Sequence, residues 1–419
     1  MLMFTRPGRI AVPRSLRALT TIDHDAECRP QDVGMSEDGV RRIWRAVESL
    51  YRGGLQPAIT LVIRRHGRIV MKRALGAVSG NLPGDDGPLA PLQPDSPICL
   101  FSASKAISAL LLHKLIEQGR LRLEDRIADF IPDFAQCGKG RVTVRQLLGH
   151  RAGIPDIPHI DPKPELLLEW DEIVRLLCEA KPFDPDFDKQ AYHALTAGFI
   201  VGELLRRITG RELPELLREW IAEPLDCRYM TYGLAREHRH LSPRNACTGI
   251  PPVWPLTRMA KQVLGVPFSA AVEASNAEAF YDAVVPAGNI WATADETSRV
   301  FQMLLNGGHY NGRQLFKPET VRGMTARVGR SWQFDRTLGL PMPFSAGFML
   351  GSDPVGLYGP GSGQAYGHIG FMTVICWADP ARDISVALLN TGKSLSPSAL
   401  LGAVRVVGAI GQACPKSGA

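Results

Sequence analysis

Leu100-Phe101-Ser102-Ala103-Ser104-Lys105-Ala106 opens a run whose later apolar positions, Ile107, Leu110, Leu111, Leu115 and Ile116, leave a helix little bare surface. Ser102 and Lys105 stand three residues apart. At the head of a helix that spacing places a hydroxyl and an amine on one face, about 5 to 6 Å apart at Cβ. The pair offers a nucleophile and a proton acceptor. A lysine at its free pKa of about 10.4 is a poor base near neutrality, so the amine must be desolvated or crowded by positive charge to act. Backbone N–H groups at the helix start point toward the hydroxyl, and that of Ser102 is placed to donate to an oxyanion. Taken alone, two fixed residue types at one spacing recur by chance about every few hundred residues, and a capping serine beside a solvated lysine would look the same. The apolar wrapping argues against a solvated Lys105.

Upstream, Ser36 to Tyr51 reads as a helix. Ser36 can cap it, Glu37 and Asp38 suit its positive end, and Val40, Ile43, Val47 and Leu50 form one apolar stripe. Two β-branched runs, Ala58 to Arg64 and Arg68 to Arg73, flank His66-Gly67 as a hairpin, and the Gly- and Pro-rich stretch from Gly80 to Pro97 leaves the sheet. Downstream, the periodic segments before about Gly288 are helical: 105–118, 144–148, 170–179, 195–208 and 213–221. Strands return at 346–350, 371–378 and 384–389, the last two joined by Asp379-Pro380-Ala381-Arg382-Asp383, and a final helix follows Ser396-Pro397. The pattern predicts an α+β fold: a central antiparallel β-sheet built from both ends of the chain, flanked by N- and C-terminal helices, with a large, mostly helical insertion. The expected units are an N-terminal arm (1–30), a sheet domain (31–98 with 289–419) and a helical domain (99–288), with the active site between the last two.

The chain has 419 residues, 45% hydrophobic and 21% charged, which suits a globular protein with more than one simple core. Its formal charge of +6 is scattered among acids rather than drawn into a stripe, which argues against a nucleic-acid partner. Arg6, Arg9, Arg14 and Arg17, interrupted by Pro7 and Pro13, read as a loose solvated arm. No apolar run suits a signal peptide or a membrane span, so a cytoplasmic protein is expected. The eight cysteines are dispersed, without CxxC or zinc-type spacing, and are expected reduced; the ten histidines form no HExxH. With no nucleotide-binding glycine motif either, no metal and no cofactor are expected. No GxSxG occurs, and Ser362 in Gly361-Ser362-Gly363 lacks that spacing. The oligomeric state is open.

Five segments carry a resemblance: Ser102-Ala103-Ser104-Lys105, Leu147-Leu148-Gly149-His150-Arg151-Ala152-Gly153-Ile154-Pro155, Tyr192-His193-Ala194, Pro286-Ala287-Gly288-Asn289-Ile290 and Gly367-His368-Ile369-Gly370. In this order and at these intervals the chain resembles the serine β-lactamase-like (penicillin-recognising, class C) superfamily, and within it the family VIII carboxylesterases. The resemblance runs from the first helix to the last. It implies that Ser102 is the nucleophile, that Tyr192 places its phenol beside it, and that Lys105 and Tyr192 share proton transfer, with either as acylation base. It also implies oxyanion donors at Ser102 and Phe371, and a substrate cleft bordered by His368 and Gly370. Two departures bear on substrate. Tyr192-His193-Ala194 stands where such β-lactamases carry Tyr-x-Asn, so an amide that meets the lactam side chain is missing. His368-Ile369-Gly370 stands where they carry Lys-Thr-Gly, so a fixed cation becomes an imidazole, largely neutral near pH 7 at a pKa of about 6.5. Together they favour neutral, more apolar esters, and hence a serine carboxylesterase. The alternatives are a β-lactamase or D-alanyl carboxypeptidase, an acyltransferase using an alcohol in place of water, and a catalytically silent scaffold. His193 is a candidate for the pocket lining, whereas His150, a single histidine in a helix-to-loop segment, reads as structural.

Overall fold

The computed structural model describes residues 8–82, 84–85, 87–156, 163–251, 254, 256–330 and 333–416. The expected hairpin forms near one edge of the main sheet. Strands β2 (Ala58–Arg65) and β3 (Arg68–Ser79) pair antiparallel, and His66 and Gly67 both take the positive φ (50° and 76°) that a tight two-residue connection requires. A short β1 (Thr20–Ile22) pairs with the outer edge of β3. The rest comes from the last quarter of the chain: β4 (Arg327–Val328), β5 (Phe344–Ser345), β6 (Met349–Leu350), β7 (Tyr366–Ile369), β8 (Ile375–Asp379) and β9 (Ile384–Asn390). The order is β1-β3-β2-β9-β8-β7-β6-β5-β4, antiparallel throughout, and Ala90–Pro91 adds a tenth strand on β3. The two ends of the chain therefore meet at β2 and β9.

Helices cover both faces. Helix α1 (Glu37–Arg52), whose Gly39 N–H donates to Ser36 Oγ at 3.0 Å, packs with α4 (Pro397–Ala413) over Ile59, Leu61, Ile63, Trp377, Val386 and Leu388. On the opposite face α2 (Ser104–Glu117) and α3 (Ala294–Leu305) share a core with Val62, Cys376, Ala387 and Leu389. Every residue of β2 is buried as a result, and its first six positions are apolar but for Thr60 rather than alternating, before the buried Arg64 and Arg65. A smaller three-stranded sheet, Ile98–Cys99, Ile290–Ala292 and Thr231–Tyr232, brings the stretch before Ser102 beside the stretch that follows residue 288.

Several expectations are corrected. The strand expected at 371–378 starts at Ile375, because Met372 and Thr373 adopt left-handed φ (49° and 73°) and turn the chain there. The 346–350 strand shrinks to β6, and the helix at 213–221 is α-helical only over Leu213–Leu217 before widening into a π turn. The N-terminal arm is not loose over its described part. Ile10, Leu16 and Leu19 are buried, and Glu27 accepts from the Lys72 backbone N–H (2.8 Å) and from the Arg73 guanidinium (2.7 Å). Arg6 and Pro7 lie outside the described residues. Helix α3 was not anticipated, although Thr293-x-x-Glu296 is a capping box: Thr293 Oγ1 accepts from Glu296 N (3.0 Å) and Glu296 from Thr293 N (2.9 Å). Among the described residues no helix is long and apolar enough to cross a membrane.

Candidate active site

Ser102 sits in a single 3-10 turn, Phe101–Ala103, that feeds α2. Phe101 is held at φ 47°, a left-handed value that a bulky residue adopts only when its surroundings enforce it. Its ring stacks on Phe280 (6.3 Å between centroids) and meets Phe371 edge-on (5.3 Å). The neighbouring backbone is tied to the small sheet, with Leu100 N donating to Ile290 O (2.8 Å) and Ile290 N to the buried Ser104 Oγ (2.9 Å). No serine caps α2: Ser104 serves Ile290, and Ser102 faces Lys105.

The Lys105 amine lies 3.0 Å from Ser102 Oγ, 2.6 Å from the Ala194 carbonyl oxygen and 3.1 Å from the Ala287 carbonyl oxygen. The residue as a whole is only partly buried, as a group lining a cleft must be, but its amine is desolvated, and burial drives its pKa well below the usual 10.5. A neutral amine has two N–H groups and one lone pair. As an ammonium the group donates to all three oxygens; once deprotonated, with the carbonyls taking its N–H groups, it has the lone pair left for the Ser102 hydroxyl. The 286–290 segment presents its carbonyl through Asn289, whose Oδ1 accepts from Val285 N (2.8 Å) and whose Nδ2 donates to the Phe280 and Ala283 oxygens (3.0 and 2.8 Å).

Tyr192 is buried, and its ring centroid is 4.9 Å from the Lys105 amine. Burial raises the phenol pKa well above its ordinary value; a hydrogen bond with Ser102 works against this rise, and the Asp335 carboxylate reinforces it. Asp335 is a site residue that sequence reasoning missed. Fully buried, it accepts from the backbone N–H groups of Tyr192 (3.0 Å), Thr337 (3.0 Å) and Leu338 (2.9 Å) and from the Gln190 side chain (3.2 Å). No local pattern could reveal it, since its main partner lies 143 positions away.

The two histidines of this region are scaffold. His193 is wholly buried, with Nδ1 donating to Ala191 O (2.6 Å) and Nε2 accepting from Ile154 N (3.1 Å), so the expectation that it meets substrate is not met: both ring nitrogens face backbone. His150 Nδ1 accepts from His193 N (3.2 Å) and its carbonyl from Ala191 N (3.0 Å). Burial keeps the pKa of His150 well below 6.5. The 147–155 segment thus holds the loop that carries Tyr192.

Opposite the nucleophile, β7 ends at Ile369 and Gly370 N donates back to Val374 O (2.8 Å). Gly370 is required for a reason other than substrate access: a Cβ there would stand 2.3 Å from the Leu100 carbonyl oxygen. The backbone N–H groups of Ser102 and Phe371 have no hydrogen-bond partner among the described residues. His368 is buried on β7, its ring 6.2 Å from that of Tyr192 and its Nδ1 donating to Ile369 O (2.8 Å). Burial pushes its pKa down to about 3, so the imidazole is neutral near pH 7. Residues 157–162 and positions 252, 253 and 255 lie outside the described residues. Among the described residues no group of three or more histidine, cysteine, aspartate or glutamate side chains is placed to hold a metal ion.

Fold and site define the class. The sequence profile of the Beta-lactamase family matches residues 47–408, and the chain belongs to that family, the serine hydrolases of the β-lactamase fold. Esterase/beta-lactamase LipL of Mycobacterium tuberculosis is 31% identical over 318 residues, 73% of this chain and 72% of that protein. A penicillin-binding protein homologue from Caulobacter crescentus superposes with a TM-score of 0.75 at 29% identity, over 90% of this chain and 98% of that one. A family VIII carboxylesterase superposes at 0.74 and 25% identity, over 89% and 98% of the two chains.

Proposed function

We propose that this protein is a serine carboxylesterase that works through an acyl-enzyme on Ser102, with Lys105 and Tyr192 as the proton-transfer pair. The observation that carries the reading is the Lys105 amine at 3.0 Å from Ser102 Oγ, with two backbone carbonyls on its N–H side. The Ser102 oxygen attacks the ester carbonyl carbon as its proton moves to the lone pair of Lys105, and the displaced π electrons form an oxyanion received by the N–H groups of Ser102 and Phe371. Collapse re-forms the carbonyl and breaks the C–O bond. The Tyr192 phenol hands its proton to the departing alkoxide and is reprotonated by Lys105. Water then attacks the acyl-enzyme, gives its proton to the same pair, and the acid leaves as Ser102 regains its hydrogen. The raised pKa of Tyr192 and the lowered one of Lys105 support the amine as acylation base and the phenol as relay.

The neutral His368 and the side chain of Ala194, which carries no amide, support neutral, more apolar esters over lactams with a carboxylate. Leu195, 37% exposed beside Ala194, and the partly buried Phe371 give the rim an apolar character. The likeness to LipL, an esterase/beta-lactamase, and to a family VIII carboxylesterase supports the same reading, and that to LipL supports a weak lactam side reaction. A fluorophosphonate is expected to leave one adduct, on Ser102, detected by peptide mass spectrometry. Short p-nitrophenyl esters are expected to turn over faster than nitrocefin, and Tyr192→Phe to lower kcat by about 10²- to 10⁴-fold. An adduct elsewhere, or none, overturns the proposal.

A further inference from the structure

A second buried lysine lies beneath the nucleophile. Lys393, three residues past the end of β9, has no exposed surface. Its amine donates to Asn390 O (2.9 Å) and lies over the ring of Phe101 (4.6 Å to the centroid) and near that of Phe371 (6.0 Å). No carboxylate pairs with it among the described residues. A buried ammonium without a counterion is costly unless dipoles and ring faces compensate, and here one carbonyl and two rings do so.

Those rings belong to the two backbone stretches that bear the free N–H groups. Phe101, at its left-handed φ, immediately precedes Ser102, and Phe371 opens the turn that contains Met372 and Thr373. The same strand end reaches that turn by a second route. Asn390 Nδ2 donates to Thr373 O (2.7 Å) and its Oδ1 accepts from Thr373 Oγ1 (3.1 Å). Gln56 Nε2 donates to Thr373 Oγ1 (3.2 Å), and Gln56 Oε1 accepts from Gly392 N (3.0 Å). A lysine is an unexpected choice if the only need is to fill space under two phenyl rings. A methionine of similar length would do so without the desolvation penalty.

We propose that Lys393 is a positioning residue for the esterase reaction: its cation, set against Phe101 and Phe371, fixes the spacing of the two oxyanion N–H groups and adds positive charge on that side of the cleft. This rests on the reading of Ser102 given above. Burial pushes the Lys393 amine down to about 7, so the cation is present below that pH and lost as pH rises through it. The groups that face it do not titrate in its place. The Cys99 thiol is pushed up to about 12 by burial, and Cys247, its register partner across the Gly392–Lys393 pairing, is also raised by burial. Glu273, on the helix Phe268–Ala274 beside that pairing, acts on Cys247 rather than on Lys393.

The experiment compares wild type, Lys393→Met and Lys393→Arg, with active sites counted by fluorophosphonate labelling of Ser102. In wild type, kcat for a p-nitrophenyl ester is expected to decline above about pH 7. Lys393→Met is expected to lose about tenfold or more in kcat near pH 6 with KM little changed, to lack the alkaline decline, and to keep its Tm. Lys393→Arg, which keeps the charge, is expected to recover part of the loss and to stay charged at high pH. A Lys393→Met protein with wild-type kcat and pH profile per labelled site overturns the inference while leaving the esterase reading intact, as does a pair of variants with lowered Tm and unchanged kcat. Should Lys393→Met fail to fold, a wild-type profile flat above pH 7 overturns it equally. A wild type that takes no label on Ser102 overturns the esterase reading and this inference with it.

Discussion

Lys105 owes its chemistry to three oxygens and a lack of water. The amine bonds the Ala194 and Ala287 carbonyls and Ser102 Oγ, and burial favours its neutral form, whose lone pair can accept from Ser102. Activity is lost as the amine takes up a proton, so the acid limb of kcat is expected well below 10.5. The spacing of Ser102 and Lys105 was legible in the sequence because one helix turn brings them together, whereas the carbonyls come from segments 89 and 182 positions away. His193 shows the opposite case. Beside Tyr192 in the chain it looked like a pocket residue, but both nitrogens are bonded to backbone. His193→Ala is therefore expected to leave a buried N–H and a buried carbonyl unpaired and to lower unfolding free energy by about 2 to 5 kcal/mol, measured by denaturant titration. If it touches substrate instead, KM will rise with stability unchanged.

At the level of elements, the site depends on where β7 stops. The expected 371–378 strand would have carried Phe371 straight into the sheet; the observed turn with left-handed Met372 and Thr373 leaves it outside the strand. Apolar content across 371–378 gave no warning, because the turn is enforced by Asn390 and Gln56 rather than by its own residues. Gly370 allows this turn to press against the Leu100 carbonyl, 2.3 Å from where a Cβ would be. Gly370→Ala is expected to push the two stretches apart and to lower kcat by about 10²-fold with a smaller effect on KM, since a displacement of about 1 Å has that consequence for an aligned site. Helix α3 was readable from its capping box, and its burial under the sheet was not.

Across the whole molecule, the sheet that joins the chain ends is pinned by buried charge. Asp295, at the start of α3, pairs with Arg64 of β2 and with Arg299 (2.6 Å), and Lys72 of β3 lies 3.9 Å away while binding Asp23 (3.0 Å) and Asp95 (2.9 Å). Burial works to raise the Asp295 pKa, but the guanidiniums of Arg64 and Arg299 outweigh it and hold it below 3.8. Its stabilisation is therefore complete above the ordinary carboxylate value and is lost as pH falls through the lowered one. Asp295→Asn is expected to cost about 3 to 5 kcal/mol at neutral pH by leaving the cations underpaired, and to reduce the fall in Tm on acidification below about pH 4, read by calorimetry. An unchanged Tm at pH 7 would refute this. The sequence by itself determined the antiparallel α+β class, the hairpin, the end helices and the spacing of Ser102 and Lys105, because each rests on periodicity, turn chemistry or a motif confined to a few neighbouring residues, whereas Tyr192 was reached only through the resemblance to a known family. Only the tertiary structure decided the anchored N-terminal segment, the strand end at Ile369, the structural role of His193 and the parts played by Asp335 and Lys393. Those depend on contacts between segments far apart in the chain, and desolvation, which sets the chemistry of a buried ionisable group, is a property of the packed molecule and not of the residue that carries it.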